Sequence, residues 1–424
     1  MLDTIIALAQ IFRDQRHELY MVGGCVRDLL MRREGSPDID LTTNARPNDI
    51  KRLVAATRPL AVATVGETFG TIAVHYPRPD SAAPEEALTE TPAAAQREPT
   101  FSSLAGNHPP GVDVIEITTY RSDVYHPDSR KPEVTFGDTL EGDLLRRDFT
   151  INAMARDPLS GEIIDLWGGR EDLERKLIRA VGDDPQRRFD EDPLRMLRAV
   201  RFAAQLGFEI EQATAEAIQR QAPTLGKISN ERIRDELVKA LVSPRPDLAL
   251  RLLVDLGLAQ WALPELLELR GVSQQPAHSK DVYEHVLRVV AGTPPRPAMR
   301  WGALLHDIAK PRTRSVEDGK VHFIGHEDVG AVMARDILRR LRFDRPFIEF
   351  VSRLVRMHMR ANAYLSEWTD GAVRRLMLEA EEALPDLLDL SRADITSYRP
   401  EKVARAVARV KELEARCAWL RAEA

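Results

Sequence analysis

Cysteine is almost missing from this chain of 424 residues: Cys25 and Cys417 lie near opposite ends. That excludes a disulfide framework and any paired-cysteine metal or redox motif, and it fits a reducing cytoplasm. A run of about 18 apolar residues is also missing, so the sequence predicts no membrane span. The opening MLDTIIALAQIFRDQ has an apolar stretch, but Asp3 and a helical apolar period mark it as an amphipathic helix and not a signal peptide. Internal repeats are absent. The formal net charge of −6 argues against a protein that coats nucleic acid indiscriminately, while leaving room for a local basic groove.

What is present is ordinary globular material, 43% hydrophobic and 30% charged, in a chain long enough for about two to four domains. Residues 1–157 mix helix and strand signals. LYMVGG reads as a strand ending in a glycine turn, VRDLLM as a helix, and DIDLTT, TIAVHY and VDVIEITTY as strands rich in β-branched residues. Between the last two lies a stretch dense in Pro, Ala and Glu, residues 77–111, which reads as a disordered insertion at a hairpin tip. Beyond Asp157 the strand signals fade. The expected class is α+β: a head with a small mixed sheet over 1–157, a helical neck and body over 158–270, a helical domain over 271–395 and a helical tail over 396–424. That tail carries seven basic residues against four acidic ones from Arg399 onward, which reads as a solvated helix face.

The most informative stretch is GGCVRDLLMRREGSPDIDL, residues 23–41. In a strand, alternate side chains share a face, so Asp38 and Asp40 point one way while Ile39 and Leu41 point into a core. Two carboxylates held that close repel unless a cation sits between them. Hard cations such as Mg²⁺ take carboxylate oxygens and leave positions for substrate phosphates. A third carboxylate on a neighbouring strand would complete a two-metal site for in-line phosphoryl transfer. Glu116 is the first candidate, because Ile115 and Ile117 take the opposite, buried face; Asp113, which shares that buried face, is the second. Gly23 and Gly24 let the backbone approach a triphosphate, the helix that follows offers amide donors, and Arg27 adds a charge-assisted contact.

Taken with RRDFTINAMA (146–155) and DEDPLRMLRAVRFAAQLGF (190–208), that stretch resembles the bacterial class II nucleotidyltransferases, the tRNA CCA-adding enzymes and related poly(A) polymerases. The resemblance implies a polymerase-β-like nucleotidyltransferase head in which Gly23, Gly24 and Arg27 cradle the triphosphate and Asp38 and Asp40 hold two Mg²⁺ ions. It assigns Arg147, Asp148 and Asn152 to ribose and phosphate. The family's nucleotide-selecting motif, E-D-x-x-R, falls on Glu191, Asp192 and Arg195. Spaced i, i+3 on a helix, Asp192 and Arg195 share a face. A carboxylate accepts from the exocyclic amino group of C or A and a guanidinium donates to the adjacent ring nitrogen, whereas G and U present the opposite order and leave both groups mismatched. Pro193 also suits a first helical position, which makes Asp192 a natural helix cap, and the two roles are compatible. RSDVYHPDSRKPEVTF (121–136) matches the family's flexible loop, whose presence implies A addition. SNERIRDELVKAL (229–241) resembles a helical motif that buttresses the head, with Arg234 structural.

Six of the ten histidines fall between His278 and His358. A lone histidine on a helix is ordinarily a surface or satisfied core residue. Here DVYEHVLRVV, WGALLHDIAK, GHEDVGA, RLVRMHM and LLDLSRADI occur in the order of an HD-type metal phosphohydrolase domain. That resemblance implies the ligands His285, His306, Asp307, His326, His358 and Asp394, and leaves His278 and His322 at the surface. Imidazoles with carboxylates suit Mn²⁺, Ni²⁺ or Fe²⁺ better than Mg²⁺.

The resemblance therefore implies an enzyme that adds C, C and A to the tRNA 3′ end from CTP and ATP, with RNA or nucleotide phosphohydrolysis in the HD domain. A close alternative is a poly(A) polymerase or an enzyme restricted to A or to CC. The family's poly(A) polymerases carry an arginine-rich stretch after the paired aspartates, whereas this chain has VGETFGTIAVHY there. A more distant alternative is a metal phosphohydrolase whose head only binds RNA.

Overall fold

The computed structural model describes residues 1–33, 39–64, 67, 70–78, 111–124, 133–137, 139–275, 278–396 and 399–423. The expected disorder over 77–111 falls almost wholly outside these residues, as does Asp38. The chain forms two compact units, Met1–Arg195 with Glu209–Ala217, and Met196–Phe208 with Ile218–Ala424.

The first unit is built on a seven-stranded mixed sheet in the order β3-β4-β5-β2-β1-β8-β9. The strands are β1 (Tyr20–Val22), β2 (Ile39–Thr43), β3 (Ala61–Ala63), β4 (Thr71–Pro77), β5 (Val112–Thr119), β8 (Met154–Arg156) and β9 (Ile163–Asp165). A separate ribbon pairs β6 (Arg121–Val124) with β7 (Glu133–Phe136). The helices are α1 (Leu2–Asp14), α2 (Gly24–Leu30), α3 (Pro47–Val54), α4 (Leu140–Leu145), α5 (Gly169–Arg175) and α6 (Pro185–Glu191). Helix α7 (Leu194–Leu206), nearly all of which belongs to the second unit, follows, and β10 (Leu177–Ile178) pairs with β11 (Glu209–Ile210) ahead of α8 (Gln212–Gln221).

Alternation decides which face of the sheet is filled. Ile39, Leu41, Ile72, Val74, Ile115 and Ile117 all enter one core with Ile5, Leu8 and Phe12 of α1 and Ile50, Leu53 and Val54 of α3. Each such burial stabilises the unit by about 1.5–3 kcal/mol. Part of the opposite face carries a smaller cluster in which Leu144 of α4 packs with Val22 and Ala155.

The structure bears on three stretches singled out in the sequence. The stretch 121–136 reads as a loop without periodicity, but its two ends form an antiparallel ribbon from Arg121↔Phe136 to Val124↔Glu133, with backbone hydrogen bonds supplying the order that side-chain pattern lacks; residues 125–132 lie outside the described part. Residues 158–195 belong to the same compact unit as the head. They are drawn in by close backbone contact, because a Cβ on Gly169 would stand 2.3 Å from the Thr150 carbonyl oxygen. At the insertion, the amide of Arg78 donates to the Gly111 carbonyl at 2.8 Å, so β4 and β5 are zipped up to its base.

The second unit is helical. After α9 (Asn230–Leu241), α10 (Pro246–Asp255), α11 (Ala259–Ala262) and α12 (Glu265–Glu268) come α13 (Val282–Gly292), α14 (Pro297–Leu305), α15 (Lys310–Thr313) and α16 (His326–Arg340). They are followed by α17 (Arg345–Asn362), α18 (Asp370–Ala380), α19 (Leu384–Ala393) and α20 (Pro400–Ala422). Two small hairpins, β12 (Ser273–Gln275) with β13 (His278–Asp281) and β14 (Ser315–Glu317) with β15 (Lys320–His322), interrupt them. Arg234 of α9 donates to Asp235 and to the Arg342 carbonyl, a structural tie. The tail is not merely a solvated face: Val410, Leu413, Cys417 and Leu420 of α20 share a core with α17, α18 and α19. No helix among the described residues is long and apolar enough to cross a membrane.

Candidate functional site

In the first unit β2 runs parallel to β5 with Asp40 directly opposite Glu116. Their neighbours Ile39, Leu41, Ile115 and Ile117 are buried in the helix-covered core, so both carboxylates emerge on the other face. Neighbouring strands lie about 4.8 Å apart, which places the two side chains within reach of a shared ion. Asp113, the second candidate for the third carboxylate, is instead paired with Arg78 at 2.9 Å. The expectation for Asp38 lies outside the described residues.

The glycine turn presses against this face. Gly23 has φ +77, and a Cβ there would lie 3.0 Å from Arg147 Nη1 and 3.5 Å from Asp40 Oδ2. A side chain at residue 23 would be strained in its backbone and would crowd the guanidinium beside the carboxylate. Gly24 opens α2, with its Cβ position 3.5 Å from Arg27 Nη2. Arg27 is buried and engaged: it grips Asp28 at 2.9 Å and donates from Nη1 to Asn152 Oδ1 at 2.8 Å. Asn152 Nδ2 donates in turn to Asp148 Oδ1 at 3.1 Å, which also accepts the Phe149 amide at 2.8 Å. The separate motifs at 23–28 and 147–152 are thus one hydrogen-bonded assembly.

Sequence reasoning passed over Asp143, whose carboxylate is completely buried. Arg146 donates to its Oδ1 at 2.7 Å, while Arg147 at 3.3 Å and Thr42 at 3.1 Å donate to Oδ2. Burial pushes this carboxyl up, but the two guanidiniums prevail and hold it below the usual range. The available signal was its i, i+3 and i, i+4 spacing to the arginine pair.

Asp192 and Arg195 are not two residues of one helix face. Asp192 is extended (φ −146, ψ 101) between α6 and α7, and its Oδ1 caps α7 by accepting the Leu194 amide at 3.1 Å. Pro193 explains this, because the residue before a proline is disfavoured in the helical region. Arg195 is buried and fixed by the Arg188 carbonyl at 3.1 Å, Glu191 Oε2 at 2.8 Å and the Arg146 carbonyl at 2.6 Å. Its Nε–H and one Nη2–H have no partner among the described residues. The backbone at Arg146–Arg147 therefore connects this guanidinium to the Asp40 face.

In the second unit, five helices bring the histidine-site residues together. His285 lies in α13, His306 and Asp307 follow α14, His326 opens α16, His358 lies in α17 and Asp394 follows α19. They form two groups that share Asp307: one with His285 and His306, the other with His326 and His358. Asp307 Oδ2 lies 3.3 Å from His285 Nε2 and 3.2 Å from His306 Nε2, and Oδ1 lies 3.4 Å from His326 Nε2. Asp394 Oδ1 is 3.0 Å from His285 Nε2. His322 is half-buried in β15, away from both groups, and the His278 side chain lies outside the described part.

Whether these residues suit a metal follows from their tautomers. Nδ1 of His306, His326 and His358 each sits 2.7 Å from the carbonyl three residues earlier. A carbonyl only accepts, so Nδ1 carries the proton and the neutral rings aim bare Nε2 lone pairs inward. His285 and His306 bring their Nε2 atoms within 3.3 Å, as do His326 and His358. The two bare lone pairs of His326 and His358 call for a cation between them, and the donor set fits a transition metal on each side of Asp307. With protons alone, burial lowers His285 but Asp307 and Asp394 outweigh it and raise it to about 9. His358, most affected by burial and next by His306, drops to about 4.

Three family models match the chain. The poly A polymerase head domain matches residues 19–99 and 81–179, the probable RNA and SrmB-binding site of polymerase A matches 207–269, and the HD domain matches 277–399. The chain belongs to the CCA-adding enzyme and poly(A) polymerase family, in a form with an HD domain. Among family members, the CCA-adding enzyme of Lactobacillus helveticus is 40% identical over 59% of this chain and 53% of its own length. The A-adding tRNA nucleotidyltransferase of Deinococcus radiodurans is 38% identical over 61% of each. The chain thus spans about half to three-fifths of the length of these curated relatives. The crystal structure of the Bacillus stearothermophilus CCA-adding enzyme in complex with CTP superposes with a TM-score of 0.65 at 27% identity, covering 97% of this chain and 82% of that one. The HD domain of this family member is where the two histidine groups lie, and its head carries Asp40 and Glu116.

Proposed function

We propose that this protein adds C, C and A to the 3′ end of tRNA, using CTP and ATP in the cytoplasm. The observation that carries the reading is the Asp40–Glu116 pair on adjacent parallel strands, with the Gly23 turn leaving room beside it for Arg147 Nη1 and Asp40 Oδ2. Asp38, Asp40 and Glu116 would hold two Mg²⁺ ions. When bound, those ions supply charge stabilisation for the attacking and leaving oxygens of an in-line displacement. The tRNA 3′-hydroxyl loses its proton and attacks the α-phosphate, and pyrophosphate leaves. Arg147, steadied by Asp143, meets the phosphates. Asp148 and Asn152, locked to Arg27, shape the ribose and phosphate side of the site. Asp192 offers its carboxylate to the exocyclic amino group of C or A, and Arg195 offers its remaining N–H groups to the ring nitrogen.

Primer extension tests this: tRNAs ending at the discriminator base, at C and at CC are given each nucleotide alone and CTP with ATP. Addition that stops at CCA and disappears in Asp40→Ala is the expected result. Growth only to CC, or only from CC to CCA, makes the protein half of a two-enzyme system, a reading kept open by its 38% identity to an A-adding relative. Runs of A on unrelated RNA make it a poly(A) polymerase.

A second activity is favoured by the histidine tautomers. His285, His306, Asp307 and Asp394 would hold one transition metal and Asp307, His326 and His358 another, for hydrolysis of phosphoesters at RNA ends or on nucleotides. A metal bound there would supply a hydroxide nucleophile near neutral pH. Lys310, with Nζ 2.7 Å from Asp307 Oδ2, fixes that carboxylate from the pocket side. Stoichiometric Mn²⁺, Ni²⁺ or Fe²⁺ after dialysis, with metal-stimulated phosphate release, is the expected result.

A further inference from the structure

A cavity of about 380 Å³ opens beside the histidine site within the second unit, with His285 and Asp394 on its wall. To the same cavity α20 contributes Lys402, Ala406 and Arg409. Their i, i+4, i+7 spacing is one stripe of a helix, spanning about 10 Å along its axis. Ala406 leaves space between the two long cations.

Several other charges on α20 are engaged elsewhere. Glu412 accepts from Tyr364 and Ser366, Glu414 pairs with Arg392, and Arg416 pairs with Asp370. Those ties, with the buried Leu413, Cys417 and Leu420, fix the helix in place. Among the described residues, Lys402 and Arg409 have no hydrogen bond or ion pair, and Asp394 is the only acidic one lining the cavity. Two uncompensated cations on one helix therefore line the same cavity as His285 and Asp394 of the histidine site. The volume suits one nucleotide and not a duplex.

We propose that Lys402 and Arg409 form a second phosphate subsite of the histidine site, so that its substrate is a ribose 2′- or 3′-phosphomonoester that also carries a 5′-linked phosphate. This rests on the phosphohydrolase reading above. The scissile phosphate sits at the metal ligands and the 5′-linked phosphate on α20. Water adds its oxygen to phosphorus, the bond from phosphorus to the ribose oxygen breaks with its electron pair, and that oxygen takes a proton. The products are a 2′- or 3′-hydroxyl and inorganic phosphate. A free nucleoside bisphosphate and an RNA end with a terminal phosphate share this chemistry.

The test uses the full chain loaded with Mn²⁺ or Ni²⁺. Phosphate release is measured from adenosine 3′-phosphate, from adenosine 3′,5′-bisphosphate and from a short oligonucleotide ending in a 3′-phosphate. Calorimetry on metal-free protein gives the affinities of the first two. The expected result is a preference of about tenfold or more in kcat/KM and in affinity for the doubly phosphorylated ligands, the scale of one charge-assisted hydrogen bond. The preference should fall to near parity in Lys402→Ala/Arg409→Ala, return in part with Lys402→Ala/Arg409→Lys, and change without a shift in Tm. The better of bisphosphate and oligonucleotide identifies the source of the ligand. Equal use and equal binding of mono- and bisphosphate by the unaltered protein overturns the subsite while leaving the phosphohydrolase reading intact. If no substrate is hydrolysed, that reading fails, and the calorimetric preference alone decides whether α20 binds a second phosphate.

Discussion

The two units present metal-ligand chemistry in opposite ways. In the head, carboxylates lie on an open sheet face: Asp40 is half-buried, Glu116 is exposed, and the surrounding arginines are held by a buried acid below them. In the HD domain the ligands are sunk between helices, with His306 and His358 at 0% and 1% exposure and each Nδ1 tied to its own helix. An open oxygen face suits a hard ion that arrives with nucleotide phosphates and leaves with pyrophosphate. A buried nitrogen pocket suits a softer ion that stays. One chain can therefore hold two phosphoryl chemistries apart through ligand type and burial alone.

The sharpest way to break this contrast is to disable one site at a time. Asp40→Ala should cut nucleotide addition by about a thousandfold or more, since the metals supply several kcal/mol of transition-state stabilisation. Phosphate release by the histidine site should continue at its original rate. Asp307→Ala should do the reverse, because one carboxylate serves both histidine groups. Joint loss of both activities in either variant, measured by primer extension and phosphate release on the same preparation, would mean that the sites are not independent.

Metal exchange sharpens the same contrast. Prolonged dialysis against chelator followed by Mg²⁺ alone should restore addition fully and hydrolysis poorly. Mn²⁺ or Ni²⁺ should restore hydrolysis, and metal analysis should find it retained through a desalting column. Equal recovery of both activities with Mg²⁺ would contradict the assignment from donor type.

Base choice tests how far the head's geometry reaches. Asp192→Ala should lower discrimination of C and A against U by about a hundredfold, because a carboxylate matched to an amino donor is lost. It also removes the cap of α7, so melting temperature must be followed alongside. Loss of stability with discrimination unchanged would leave Asp192 a cap only.

What could be read from the sequence follows the range of the interactions. The period-two pattern of DIDLTT and VDVIEITTY carries the orientation of Asp40 and Glu116, because alternation is local; their register is not local, and pairing across 76 residues needed the fold. The histidines of the second unit stand in ordered motifs, but their tautomers depend on carbonyls that only the fold places three residues back. Asp192 shows how a motif misleads: the i, i+3 spacing suggested a shared helix face, while Pro193 ends one helix and starts another. Lys402 and Arg409 gave no sign, since nothing in a basic tail says that its helix lines a cavity with His285, more than a hundred residues away.

Asp143 offers the gentlest test of the head, because it reaches the site through Arg146, Arg147 and Thr42. Asp143→Asn keeps the shape but loses the charge, and should destabilise the protein by about 1.5–3 kcal/mol at neutral pH, the range for hydrogen bonds to charged groups. Addition should fall by about tenfold as Arg147 loosens beside Asp40 and Gly23. The pH dependence has a definite sign. The folded carboxyl lies below its ordinary value, so its stabilisation is complete above the unfolded pKa near 4 and is lost as pH falls through the lower folded value. Denaturant melts of the unaltered protein and Asp143→Asn should therefore differ most at pH 6–8 and converge in acid. A gap that stays constant down to pH 2 would mean that the aspartate acts by shape and not by charge, and that Arg147 is held at the site by its other contacts.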